Sequence, residues 1–201
     1  MEIGHTDLVG FCGRMGSGKT YAADYLVDNY GYTKVKFAKH LKDMLRAMGL
    51  SDEHIEGDLK EKPCDLLDGR TPRWAMQTLG TEWGRDLISP NLWGNLWENE
   101  VRALLSEGKR VVVDDVRFDN EAQRIQKMSG YLIQMKRSTE TEETTPDHPS
   151  ENIPDNPNAT ILHGDGKMQV EMTLDTIMAL SAKSQEIKRV RPKISQGGFA
   201  V

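Results

Sequence analysis

Cysteine is scarce in this sequence. The chain carries two, Cys12 and Cys64, which excludes a disulfide-stapled scaffold and fits a reducing compartment. Cys12 lies in an apolar run and reads as a buried thiol rather than a redox or metal group. Long hydrophobic runs are also missing. No window approaches the about 18 apolar residues that a membrane span needs. Met1 to Asp7 is polar and lacks the apolar stretch of a secretory leader. Positive charge is not in excess: the formal net charge is -5, which gives no global field for nucleic acid. These absences point to a cytoplasmic protein without membrane or nucleic-acid partners. Aromatic residues make up 6%, and the four tryptophans all fall between Trp74 and Trp97. Most of them read as core, and Trp93, just past the break at Pro90, is the one best set to touch a ligand. The rest is an ordinary globular mix of 37% hydrophobic and 28% charged residues over 201 positions, enough for one domain with its own core.

Residues 1–182 read as that domain and 183–201 as a polar, basic tail. Leu8 to Cys12 is a short apolar run ending at glycine, a buried strand. Ala22, Tyr25, Leu26 and Tyr30 then recur at helical spacing up to Gly31. Thr33 to Phe37 alternates as a second strand, followed by a helical stripe of Leu41, Met44, Leu45 and Met48. Thr71 and Pro72 make a good helix start, and one helix is expected over 71–88, with a second running to about Glu107. Val111-Val112-Val113 is a β-branched strand. A helix over 120–128, strands over 131–135 and 159–162 and a last helix around Leu174 complete the pattern. Strands alternating with helices predict an α/β domain with a central, mainly parallel sheet.

Gly13-Arg14-Met15-Gly16-Ser17-Gly18-Lys19-Thr20 fits G-x-x-x-x-G-K-[ST] in full, between a strand and a helix. Glycines let successive backbone N–H groups turn inward around phosphate, and the helix N-terminus adds its partial positive charge. Lys19 would bear on the β- and γ-phosphates, and Thr20 would offer Mg²⁺ a hydroxyl. Gly13, Arg14, Gly16, Ser17, Gly18, Lys19, Thr20 and the following Tyr21 are the candidate ATP contacts. The motif implies a P-loop nucleoside triphosphate site without choosing among kinase, motor and switch.

Asp114 and Asp115 end the valine strand, where an acid can orient Mg²⁺ through water. Successive strand residues face opposite sides, so one of the two is expected at the phosphates. Asp115 is favoured, with Asp114 as the alternative. Arg117 leaves on the same side as Asp115 and could bridge transferring phosphates or pair with Asp119 or Glu121. Arg73, Gln77, Thr81 and Arg85 recur every four residues along one helix side. Gly80 and Gly84 lie beside them, each costing about 1 kcal/mol against alanine, so either a flat base or a packed neighbour must come close. Gln77 could pair with a base edge, and Arg73 and Arg85 could hold a monophosphate. Arg137 closes a strand ahead of an acidic loop and could fold over phosphates. No ligand spacing supports a metal role for His148.

Five segments, Gly13–Thr20, Phe37–Lys42, Gln77–Arg85, Asp115–Glu121 and His148–Glu151, together resemble the bacteriophage-type deoxynucleoside monophosphate kinases. The resemblance implies an NMP-kinase-like fold with a helical monophosphate-binding region over 38–107 and a lid-like loop over 137–158. It implies transfer of the ATP γ-phosphoryl group to a dNMP, with Mg²⁺, for viral DNA synthesis, in the cytoplasm of an infected bacterial host. By motif position it places Lys19 and Thr20 at ATP and Mg²⁺, and Phe37, Ala38, Gln77, Arg85, Asp115 and Arg117 near the monophosphate, which leaves Lys19, Asp115 and Arg117 as the candidate catalytic residues. It is compatible with a homodimer. The region after Arg137 carries fewer arginines than a typical lid. A kinase of another small acceptor, such as dephospho-coenzyme A, and a P-loop ATPase or switch subunit are the competing readings.

Overall fold

The computed structural model describes residues 6–138, 153–164 and 166–190, with side chains of the last helix described to residue 183. Five strands, β1 (Leu8–Cys12), β2 (Tyr32–Lys34), β3 (Arg110–Val116), β4 (Tyr131–Arg137) and β5 (Ala159–His163), form one sheet in the order β2-β3-β1-β4-β5. Every pairing is parallel. The central strand β1 is buried along its whole length, as expected for a strand covered on both faces.

Helix α1 (Lys19–Tyr30) follows the glycine loop. It stops at Gly31, whose φ of 68° lets its N–H return to the Leu26 and Val27 carbonyls. On the α1 face, Val9, Phe11, Ala22, Leu26, Val112, Met135 and Ile161 pack with Leu174 of α7 (Lys167–Val190). Helix α7 runs on to Val190, past the point where the sequence reading ended it and began a tail. Residues 191–201, and 139–152 of the lid-like loop, lie outside the described residues. On the other face, Leu8, Val111, Val113 and Leu132 pack with Trp97 and Val101 of α5 (Leu92–Ser106) and with Ala122 and Ile125 of α6 (Asp119–Lys127).

A third cluster sits beside the sheet. Leu41 and Leu45 of α2 (Lys39–Ala47), Ile55 of the short α3 (Asp52–Ile55), Ala75 and Met76 of α4 (Pro72–Thr78) and Trp93 form it. Thr71 caps α4, its Oγ1 accepting the Trp74 N–H at 3.1 Å, and Pro72 fills the first turn.

The helix expected over 71–88 does not continue as an α-helix. From Leu79 to Ile88 it widens into a π-helix. The Ser89 N–H, for example, reaches the Gly84 carbonyl five residues back at 3.0 Å. Trp93 gives the physical reason. Its indole Nε1 donates to the Gly80 carbonyl at 2.7 Å, and a side chain inserted into the ladder opens it.

Candidate active site

The loop from Gly13 to Gly18 reverses the chain between β1 and α1 with positive φ at three glycines, Gly13 (135°), Gly16 (79°) and Gly18 (88°). A Cβ at Gly13 would meet the Met135 carbonyl oxygen at 2.3 Å, so the loop lies tight on β4 there. Ser17 is fully buried, and its N–H closes the turn on the Arg14 carbonyl at 3.1 Å. The Lys19 ammonium lies back across the loop, donating to the Gly13 and Arg14 carbonyls at 2.7 Å each. Tyr21 does not turn toward the loop's concavity. Its hydroxyl donates to Glu171 of α7, which pushes the phenol up to about 12, and Lys167 stands 5.0 Å over its ring. Thr20 is exposed at the start of α1. Under the loop, burial pushes the Cys12 thiol up to about 11, which suits the inert role read from sequence.

The two adjacent acids divide between the faces of the sheet. Between Gly10↔Val113 and Cys12↔Val116 the ladder slips by one residue, so Asp114 and Asp115 together oppose Phe11, a β-bulge. Asp114 stands on the α1 face, 4% exposed, with the Lys34 and Lys36 ammonium groups each 3.7 Å away. Neither of its oxygens has a hydrogen-bond partner. Asp115 turns the other way. One oxygen accepts from the Phe37 N–H and the other from the Ala38 N–H, each at 3.0 Å. Burial, reinforced by the charge of Asp114, holds its carboxyl above the usual range. The expectation that Asp115 faces the metal therefore needs correcting: both its oxygens are engaged by backbone amides beyond β2. Asp114 faces the α1 side instead, its oxygens without hydrogen bonds but flanked by the two ammonium groups. Among the described residues no group of three or more His, Cys, Asp or Glu could hold a metal ion.

Asp115 forms one wall of a cavity of about 140 Å³ between the sheet edge and the helical region. Phe37, Ala38, Arg73, Gln77, Arg85, Trp93 and Arg117 all line it, so most of the acceptor residues read from sequence come together. Phe37 stacks on Trp97 at 4.2 Å between centroids. Arg73 pairs with Glu61, and its Nη2 lies 3.9 Å from Met15 Sδ, which joins the cavity to the glycine loop. Arg137 is not among the lining residues; it stands at the exposed end of β4.

Arg85 differs from its expected part. It is 9% exposed and pairs with Glu121, while its Nη1 donates to the Pro90 carbonyl at 3.1 Å. Its guanidinium lies 3.6 Å over the Phe118 ring. Glu121 in turn accepts from the Arg117 N–H at 2.9 Å and the Phe118 N–H at 3.2 Å. Burial pushes the Glu121 carboxyl up to about 7, against the pull of Arg85 and the two amides. This pair braces the back wall of the cavity and leaves the guanidinium little to offer a ligand.

Two lining lysines escaped the sequence reading. Lys42 sits on the buried side of α2 and donates to Glu56 at 2.6 Å. Lys60 comes from the weakly patterned stretch before α4. Burial first, then the neighbouring charges of Lys42 and Arg73, hold its ammonium below the ordinary range. Lys42 interrupts an apolar helix face, which was a usable signal, whereas nothing local marked Lys60.

Comparison with known proteins adds a relative. No family model matches the sequence. A protein of Acanthamoeba polyphaga mimivirus named "Putative deoxynucleotide monophosphate kinase" is 40% identical over 156 residues, covering 72% of this chain and 80% of the viral one. The chain belongs to the deoxynucleotide monophosphate kinase family. An uncharacterized protein of Ictalurid herpesvirus 1 (strain Auburn), ORF76, is 30% identical over 115 residues, 57% of this member of the deoxynucleotide monophosphate kinase family and 41% of the herpesvirus protein. Among solved structures, a point mutant of the Mycobacterium tuberculosis APS kinase is 14% identical, with a TM-score of 0.45 over 89% of this chain and 98% of that one. A sugar kinase from a Janibacter species is 13% identical, with a TM-score of 0.45 and the same coverage.

Gly84 was expected to admit either a base or a packed neighbour, and the neighbour is Trp93. A Cβ at Gly84 would lie 2.5–2.7 Å from three atoms of the indole. Gly84→Ala in this family member is therefore expected to destabilise by about 1–3 kcal/mol through overpacking, despite alanine's better helix propensity. Urea unfolding followed by tryptophan emission measures this. Native stability with an unshifted spectrum would mean that Trp93 yields without strain.

Proposed function

We propose that the protein transfers the ATP γ-phosphoryl group to a deoxynucleoside monophosphate, giving ADP and the deoxynucleoside diphosphate. One observation carries this reading: a cavity beside the glycine loop has an aromatic and amide side, with Phe37, Trp93 and Gln77, and a cationic side, with Lys42, Lys60, Arg73 and Arg117. Flat rings suit a base, Gln77 suits a base edge, and clustered cations suit a monophosphate. Burial first, and then the charges of Lys42 and Arg73, depress Lys60, and an arriving phosphate dianion would offset those charges.

The protein's part is positioning and charge. Backbone N–H groups of the loop cradle the ATP tail, and Lys19 moves from the loop carbonyls onto the β- and γ-phosphates. Arg117, Arg73 and Lys60 hold the acceptor phosphate, one oxygen of which attacks the γ-phosphorus as the bond to the β–γ bridging oxygen breaks. Asp115 fixes the Phe37–Ala38 backbone that edges the acceptor. Thr20 would hold Mg²⁺, which neutralises charge on the transferring phosphates when bound.

A coupled ADP-release assay with each dNMP and NMP, ATP and Mg²⁺ tests the reading. Turnover stimulated by at least one dNMP is expected. Turnover with dephospho-coenzyme A alone, or hydrolysis without any acceptor, would replace this reading with one of its competitors. Gln77→Ala is expected to raise the KM for the accepted dNMP about tenfold and leave the ATP KM unchanged. Equal changes in both would remove Gln77 from the acceptor site.

A further inference from the structure

Trp93 stands against Gly84 and leaves no room there for a side chain. No such neighbour accounts for Gly80, which is buried and lines the acceptor cavity. Its φ lies outside the positive range that calls for glycine, so alanine could take the same backbone and would suit a helix better. Space does not forbid a side chain either. Among the described residues, the one atom within 4 Å of a Cβ built at Gly80 is Leu41 Cδ2, at 3.5 Å, an ordinary contact. Leu41 lines the cavity as well. The bare side of Gly80 is thus a piece of cavity wall, and a methyl group there would take space from whatever the cavity holds.

The walls around that space are fixed. The Trp93 indole is buried, tied by its Nε1 to the Gly80 carbonyl at 2.7 Å and pressed on Gly84. Phe37 is buried and stacked on Trp97, and its N–H is held by Asp115. Phe118 lies beneath the Arg85 guanidinium, which Glu121 holds. Walls packed in this way transmit strain rather than yield. The space between them is about 140 Å³. An apolar cavity of about 150 Å³ holds one benzene ring. Here the volume also includes the cationic end at Lys60, Arg73 and Arg117, so what remains for a base is the room of one six-membered ring.

We infer that the acceptor base lies against the bare backbone of Gly80 and has a single ring, which makes pyrimidine deoxynucleoside monophosphates the accepted class. Gln77, three positions before Gly80, lines the same cavity, and its amide can pair with the edge of a ring resting there. A purine brings a second, fused ring into the space that Trp93, Phe37 and the Arg85–Glu121 pair already close off. This rests on reading the cavity as the acceptor site.

Initial rates of ADP release with dTMP, dCMP, dAMP and dGMP, for the native protein and for Gly80→Ala, test this. In the native protein kcat/KM is expected to be at least about tenfold higher for the better pyrimidine nucleotide than for either purine, since even one surplus methylene in a pocket costs about that much. Equal or better turnover of a purine overturns the inference and leaves the kinase reading standing. Turnover with none of the four rejects that reading, and the inference with it. Gly80→Ala is expected to raise the KM for the accepted pyrimidine nucleotide about tenfold, to keep the ATP KM, and to melt no lower than the native protein. A native acceptor KM in the folded variant overturns the inference, and so does an equal rise in both KM values. An unfolded variant overturns it too, because that would place a protein neighbour against Gly80 in place of a ligand.

Discussion

Lys19→Ala is expected to lower kcat at least about 10³-fold while the protein stays folded. The ammonium lies across the loop and donates to two of its carbonyls, at Gly13 and Arg14. Those bonds hold the loop closed on itself and are exchangeable. An incoming triphosphate offers charged oxygens in their place, and charge-assisted bonds are the stronger kind. The contact gains further as negative charge spreads over the transferring group, so its loss falls on the transition state and on kcat, as a loss of about 4 kcal/mol. The fold should not suffer comparably, because Lys19 is only half-buried and α1 is anchored by Ala22, Ala23 and Leu26. ADP release measures the first quantity and thermal unfolding the second. A folded variant with near-native turnover would contradict the role given to Lys19.

Glu121→Ala is expected to remove about 3–5 kcal/mol of stability, the usual result of stranding one partner of a buried ion pair. The side chains of Arg85 and Glu121 are 9% and 4% exposed. Removing the carboxylate leaves a buried guanidinium and also the Arg117 and Phe118 N–H groups without their acceptor. In a chain of this length that corresponds to a fall of about 10 °C in Tm. Replacing Arg85 and Glu121 together with apolar residues of similar volume should recover much of the loss. An additive double variant would mean that the pair is not coupled. Glu121 also predicts a pH effect. Its folded-state value, about 7, lies above the ordinary 4.5. Its contribution is therefore fully present below about 4.5 and is lost as pH rises through about 7. Tm should fall more between pH 5 and 8 in the native protein than in Glu121→Gln, and identical slopes would rule out a raised Glu121.

The parallel sheet, the glycine loop and the helix starting at Thr71 were legible because each rests on local pattern: valine runs, a glycine spacing and a cap. Much of the cavity lining was legible too, since Arg73, Gln77, Thr81 and Arg85 repeat on one helix side and all line it. The misreadings are non-local. Arg85 looked like a ligand arginine because nothing in its own helix announces Glu121, 36 positions later. Alternation put Asp114 and Asp115 on opposite faces, as found, but it cannot foresee the bulge or the amides of Phe37 and Ala38 that bind Asp115. The π-helix depends on Trp93 reaching back to Gly80.

The bulge at Asp114–Asp115 carries a mechanical consequence. Two neighbouring residues, joined by a single rigid peptide unit, stand one on each side of the sheet, where the donor and acceptor nucleotides are proposed to meet. Their separation is set by covalent bonds inside the most protected part of the molecule, so the strand acts as a gauge block between the two halves of the reaction. Surface loops can then vary in length and charge without disturbing alignment, whereas inserting or deleting one residue in Val111–Asp115 would throw both halves out of true at once.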